Sequence, residues 1–181
     1  GQVKAVMEGF QPFAIKIGIV NVIQIVHVSA DCIRKYSPED IINDPGMVST
    51  SGRKLMTNEA IEEIKKELLP LVTLVTPNID EAKVLTGKSI QNTQDMLEAA
   101  KQLSDSDQIH ILIKGGHLEG DQMCDLLYSP DHTYYIYEEK KIESKNLHGT
   151  GCTLSSAIAS YLAKGYSMKE SIRHAKEYIT H

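Results

Sequence analysis

Apolar positions along the chain recur with two different periods, and segments of the two kinds alternate. From Phe13 to Ile19 a spacing of two puts Ile15, Ile17 and Ile19 on one side, which predicts a strand. Ile25 to Tyr36 has the longer period of a helix. Asp40 to Asn43 is a second short strand, closed by the turn sequence Asp44-Pro45-Gly46. Thr57 is placed to cap a helix with the stripe Ile61, Ile64 and Leu68, and Glu62 and Lys66 form an i,i+4 pair on its other side. Pro70 ends that helix. The near-continuous apolar run from Leu71 to Val75 predicts a strand covered on both faces.

The alternation continues through the second half. Asn78 to Leu85 reads as a short helix stopped by Gly87, and Asn92 caps another with Met96, Leu97, Ala100 and Leu103 inward. Ile109 to Ile113 is a buried-type strand ended by Gly115-Gly116. Cys124–Tyr128 and Thr133–Tyr137 read as two strands joined by Ser129-Pro130-Asp131-His132. Two helices close the chain. The first follows Gly149-Thr150-Gly151, carries Leu154, Ala157, Ile158, Tyr161 and Leu162 on one face, and ends at Gly165. The second opens on the capping box Ser167-Met168-Lys169-Glu170, with the stripe Met168, Ile172, Ala175 and Ile179.

Strands alternating with helices predict an α/β fold with a largely parallel sheet, the pair within 124–137 being an antiparallel addition at its edge. No repeat or low-complexity linker divides the 181 residues, so they read as one domain. In such sheets ligands gather at the carboxyl ends of the strands. That rule selects the segments after Ile19, Asn43, Val75 and Ile113, and the loop before Cys152.

Composition narrows the function class. Nineteen basic against 24 acidic residues give a net charge of −5, with no long Lys/Arg run, which argues against nucleic acid or an anionic membrane as partner. Lys16, Asn21, Gln24 and His27 interrupt the apolar stretch from Ile15 to Val28, so it does not span a bilayer. Cys32, Cys124 and Cys152 are few and far apart, which fits a reducing cytoplasm better than a disulfide framework, and no Cys/His grouping supports zinc. No GxGxxG follows an early strand, so a dinucleotide-binding reading has no support.

Four constellations could carry chemistry. In His148-Gly149-Thr150-Gly151-Cys152-Thr153, two glycines let the backbone approach a ligand at the start of a helix. Unpaired amides and the helix dipole there favour an anion such as a transferring phosphoryl group. The same field favours the Cys152 thiolate, which could accept a hydroxyl proton. In Thr76-Pro77-Asn78-Ile79-Asp80-Glu81, Asn78 and Glu81 share a face and could hold hydrated magnesium. Lys114-Gly115-Gly116 suits contact with a polyphosphate, and Asp44 could add negative charge near a metal. Each also has a plainer reading, as helix entry, N-cap, strand exit or turn.

Taken together these residues resemble the hydroxymethylpyrimidine/phosphomethylpyrimidine kinases of thiamine biosynthesis, a branch of the ribokinase-like superfamily. The matching stretches are Lys16-Ile17-Gly18, Asp44-Pro45 with Met47 through Gly52, Leu74 through Asn78 with Asp80-Glu81-Ala82, Leu85-Thr86-Gly87, Lys114 through His117, and His148 through Ser155. The resemblance implies a three-layer ribokinase-like fold and transfer of phosphate from ATP to a hydroxymethyl aminopyrimidine and then to its monophosphate.

On that resemblance Cys152 is the base, Gly149, Thr150 and Gly151 cradle the moving phosphoryl group, and Lys114, Gly115, Gly116 and Asn78 line the ATP site. Asp44 and Glu81 serve Mg2+. Ile19 and Gly46 lie by the pyrimidine, where the family usually reads Met and Val; Leu147 also departs from the usual Thr. The family has further N-terminal and C-terminal parts, so the resemblance implies that 1–181 is a truncated kinase domain of a longer protein. It also leaves room for a homodimer, for a Cys-type pyridoxal or pyridoxine kinase, and for a non-catalytic nucleotide-binding fragment.

Overall fold

The computed structural model describes residues 2–10, 12–18, 23–48, 53–117, 122–140 and 150–180. Its centre is a six-stranded sheet whose spatial order follows the sequence. β1 (Ala14–Ile17), β2 (Asp40–Asn43), β3 (Leu74–Val75) and β4 (His110–His117) run parallel. β5 (Gln122–Tyr128) and β6 (Tyr134–Lys140) add on as antiparallel neighbours.

Strand alternation divides the core in two. Ile41, Val75, Ile111 and Ile113 face a cluster that includes Val26 of α2 (Ile23–Tyr36), Ile61 of α3 (Asn58–Glu63), Leu85 of α4 (Ile79–Thr86) and Met96 of α5 (Thr93–Asp107). Ile42, Leu74, Leu112 and Leu127 face the opposite way, onto Leu154 and Ile158 of α6 (Thr150–Ala163) and Ile172 and Ala175 of α7 (Met168–Thr180). The sheet is therefore covered on both faces, which is why its central strands read as unbroken apolar runs. Each wholly buried Ile or Leu here contributes on the order of 1.5–3 kcal/mol.

Several predicted elements change at their ends. The helix capped by Thr57, whose hydroxyl accepts from Ala60 N at 3.2 Å, widens after Glu63 into a π turn, Ile64–Leu68, and then a 3-10 turn, Leu69–Leu71. Pro70 thus lies inside a turn. The widening keeps Ile64, Leu68 and Leu69 all buried, and it pairs Glu62 with Lys65 at 3.6 Å in place of Lys66. The same turn shortens β3 to two residues, although backbone bonds from Thr73 N to Ile41 O and Thr76 N to Asn43 O extend its pairing at both ends.

β4 does not stop at Gly115-Gly116. The register shifts between Ile113 and Gly116, Gly115 takes a left-handed φ of 81°, and the strand runs on to His117. Ser167 caps α7 by accepting from Glu170 N at 3.3 Å, and the Glu170 carboxylate pairs with Arg173. The N-terminal helix α1 (Gln2–Phe10) has no counterpart in the pattern above; Met7 is buried and Glu8 accepts from the Tyr36 hydroxyl at 3.3 Å.

Candidate active site

The carboxyl ends of β2, β3 and β4 bring four of the sequence-selected residues together: Asp44, Asn78, Glu81 and Lys114. Asn78 begins α4 as its cap, its Oδ1 accepting from Glu81 N at 2.8 Å. Glu81 Oε1 accepts in return from Asn78 N at 3.0 Å, closing a capping box, while Oε2 accepts from Met47 N at 2.7 Å. One carboxylate, 3% exposed, therefore ties the start of α4 to the loop after β2.

Burial pushes the Glu81 carboxyl above the ordinary range. The Asn78 and Met47 amides oppose that shift, the neighbouring Asp44 adds to it, and Lys114 opposes it. Asp44, largely buried, faces Lys114 Nζ at 3.9 Å. Lys114 N bonds to Pro77 O at 2.9 Å, which aligns the middle of β4 with the entry to α4.

Gly46 has a left-handed φ of 58°, and this backbone turn presents Met47 N to Glu81. Leu55 N bonds to Met47 O at 2.7 Å, and Val48 bridges Lys54, so the described residues on either side of 49–52 pair with each other. The two glycines after Lys114 have local structural work. Gly115 N donates to Asp125 Oδ1 at 2.9 Å, and a Cβ on Gly116 would lie 2.2 Å from Met96 Sδ.

Among the described residues, two buried side-chain oxygens at the strand ends have no hydrogen-bond partner: Asn43 Oδ1 and Thr76 Oγ1, on side chains 2% and 0% exposed. Sequence reasoning assigned neither a role. The available signal was a polar residue at the exit of an apolar run, Ile41-Ile42-Asn43 and Leu74-Val75-Thr76. By strand alternation Thr76 lies on the α6 face, as do Asp44 and Lys114, and Asn43 lies on the opposite face. The Thr76 hydroxyl and the Asp44 carboxylate are hard oxygen donors of the kind that suits Mg2+, an ion that keeps several waters and needs few protein ligands. No cluster of three His, Cys, Asp or Glu is found among the described residues, so a closed all-protein cage is not what this set offers.

Thr150, Gly151 and Cys152 form the start of α6, which packs across β1 and β2 on the face opposite α2. The side chains of these three residues, and all of Gly149 and Ile19, lie outside the described residues. The first-turn amides of α6 have no acceptor within the helix, and its dipole gives this end positive potential.

Parallel strand ends, a buried carboxylate pair with a lysine, and a glycine-preceded helix start define the class: the fold is that of the ribokinase-like vitamin kinases. The sequence profile of the phosphomethylpyrimidine kinase family matches residues 1–181, and the chain belongs to that family. It is 38% identical over 179 residues to the hydroxymethylpyrimidine/phosphomethylpyrimidine kinase of Rhizobium meliloti, matching 98% of this chain and 66% of that relative.

Among solved structures, the phosphomethylpyrimidine kinase of Clostridium difficile 630 superposes with a TM-score of 0.86 at 38% identity, over 99% of this chain and 72% of that one. An ADP complex of Bacillus subtilis pyridoxal kinase superposes with a TM-score of 0.89 at 32% identity, over 99% and 67%. The chain thus spans about two thirds of the length of these proteins. Among the described residues no helix is long and apolar enough to cross a membrane.

Proposed function

We propose that the protein transfers the terminal phosphoryl group of ATP to the hydroxymethyl group of an aminopyrimidine, and then to the resulting monophosphate. The observation that carries this reading is the buried Asp44–Lys114–Glu81 group at the parallel strand ends, in a chain of the phosphomethylpyrimidine kinase family. ADP in the pyridoxal kinase relative supports a nucleotide in this cleft.

Lys114 contacts the nucleotide phosphates as a point charge, beside Gly115, Gly116 and Asn78. Asp44 and Glu81 would hold Mg2+ through waters, and the ion when bound neutralises charge on the phosphates. Backbone amides of Gly149, Thr150 and Gly151 stabilise the moving phosphoryl group, because the helix start offers unpaired donors where charge builds up. Cys152, in the same positive field, takes the proton of the hydroxymethyl oxygen as that oxygen attacks phosphorus. Ile19 and Gly46 flank the pyrimidine.

Cys152→Ala is expected to lower kcat by roughly two to four powers of ten while nucleotide affinity stays within a few-fold. Steady-state kinetics and nucleotide titration read the two effects separately, and unchanged turnover would remove Cys152 from the role.

A second reading is favoured by the slightly closer superposition on pyridoxal kinase: the same site phosphorylating a hydroxymethyl pyridine. Rates with both ring systems separate the two. ATP binding without product from either would leave a non-catalytic nucleotide-binding protein.

A further inference from the structure

Lys16 has no part in the site described above, yet its ammonium is held at the same strand ends. It lies on β1 opposite Ile42, so it faces the side of the sheet covered by α6. Its side chain curls along the strand, and Nζ sits 3.2 Å from the point where a Cβ on Gly18 would stand. Lys16 is half-buried in the space that Gly18 leaves open. Asp44 N bonds to Ile17 O at 2.9 Å, which continues the β1–β2 pairing and sets Gly18 level with Asp44.

Lys114 has Asp44 as its counter-charge; among the described residues Lys16 has no ion pair. An ammonium with no ion pair among the described residues is a ready partner for an arriving anion, which it meets with charge-assisted hydrogen bonds. Thr76 Oγ1, buried and unpartnered, lies by strand alternation on the same face, two strands from Lys16.

The strand order decides which anion. Lys114 is on β4, three strands from Lys16 on β1, a separation of about 14 Å at ordinary strand spacing. In phosphoryl transfer the leaving and attacking oxygens lie on opposite sides of phosphorus. With the nucleotide along β4 and the start of α6 over β1 and β2, the acceptor approaches from the β1 side.

We propose that Lys16, seated over Gly18, binds the phosphate of the monophosphorylated acceptor and positions it for the second transfer, an inference that rests on the kinase reading above. In that step an oxygen of the acceptor phosphate forms a bond to the terminal phosphorus of ATP, the bond to the bridging oxygen breaks, and ADP leaves. Near neutral pH the phosphomonoester is largely a dianion and has no proton to lose. The second transfer therefore needs a neutralising cation where the first needs a base, and Lys16 supplies that cation.

Lys16→Met and Lys16→Arg test the assignment, with kcat/KM measured for the hydroxymethyl acceptor and for its monophosphate. The ratio of monophosphate to alcohol is expected to fall roughly 10- to 100-fold in Lys16→Met and to recover most of the loss in Lys16→Arg. Taking the ratio cancels any general loss of fold or activity. An unchanged ratio overturns the proposal, as does an equal loss for both acceptors with weakened ATP binding, which would give Lys16 to the nucleotide.

Calorimetric binding of the monophosphate without nucleotide gives a readout independent of turnover. Wild-type protein should bind it more tightly than the alcohol, Lys16→Met should erase that preference, and Gly18→Ala, whose Cβ shifts the ammonium by only a few tenths of an ångström, should leave most of it in place. Equal binding of the two by wild-type protein overturns this proposal alone. A Lys16-dependent preference in a protein that transfers phosphate to neither acceptor would sink the kinase reading and overturn the positioning role with it, leaving Lys16 as a phosphate-binding residue only.

Discussion

Glu81 brings its carboxyl group into a nearly buried site, and two backbone amides donate to it there. Replacing it with Ala leaves Met47 N and Asn78 N without their acceptor, at about 1–3 kcal/mol for each donor left bare. The expected loss shows as a lower urea midpoint. A Glu81→Ala variant as stable as wild type would mean that the loop after β2 is held by something other than this carboxylate. Gly46 sets the geometry that delivers Met47 N. Val at that position must adopt φ near 58° or undo the turn, at a cost of about 1–3 kcal/mol. Gly46→Val should therefore be less stable than Gly46→Asn, because Asn tolerates the left-handed region, and paired denaturation curves check the order.

At the scale of elements, the β5–β6 hairpin is pinned to the start of β4 by a titratable side chain. His110 Nδ1 lies 2.9 Å from Ser129 Oγ, and burial holds the imidazole below its ordinary pKa, partly opposed by Asp131. The unfolded chain takes up a proton at His110 near pH 6.5, whereas the folded chain does so only at lower pH. The folded state consequently binds fewer protons across that interval, and stability contributed by this group is lost as pH falls from about 7 toward 5. Urea midpoints at pH 7.5 and 5.5 should show a smaller pH dependence in His110→Asn than in wild type. Equal slopes would place the effect elsewhere.

Over the whole molecule, the site is an assembly of distant segments. Asp44, the Thr76–Glu81 segment and Lys114 come from three separate stretches of chain, and α6 adds its start from the last third. A ligand that bridges them binds the folded state alone. ATP with Mg2+ at 100 times its Kd should stabilise the protein by about 2.7 kcal/mol, a rise in melting temperature of roughly 5–10 °C for a chain of this size. Lys114→Ala should shrink that rise at equal ligand concentration. A melting temperature indifferent to nucleotide would contradict the proposed function at its first step.

Local rules were enough for much of this chain. The Asn78–Glu81 and Asn92 caps, the strand Asp40–Asn43 and the apolar stripes of the last two helices follow from side-chain reach and periodicity within a few residues, so the sequence by itself determined them, along with the α/β class. The tertiary structure alone decided what needed a distant partner: the π turn that keeps Ile64, Leu68 and Leu69 buried, and the continuation of β4 through a bulge next to β5. It also decided the joining of Glu81 to Met47 and the unpartnered oxygens of Asn43 and Thr76. Periodicity reports which side of an element is apolar; the group that meets a buried amide, hydroxyl or ammonium is set by how far apart in sequence two strand ends can be and still lie side by side.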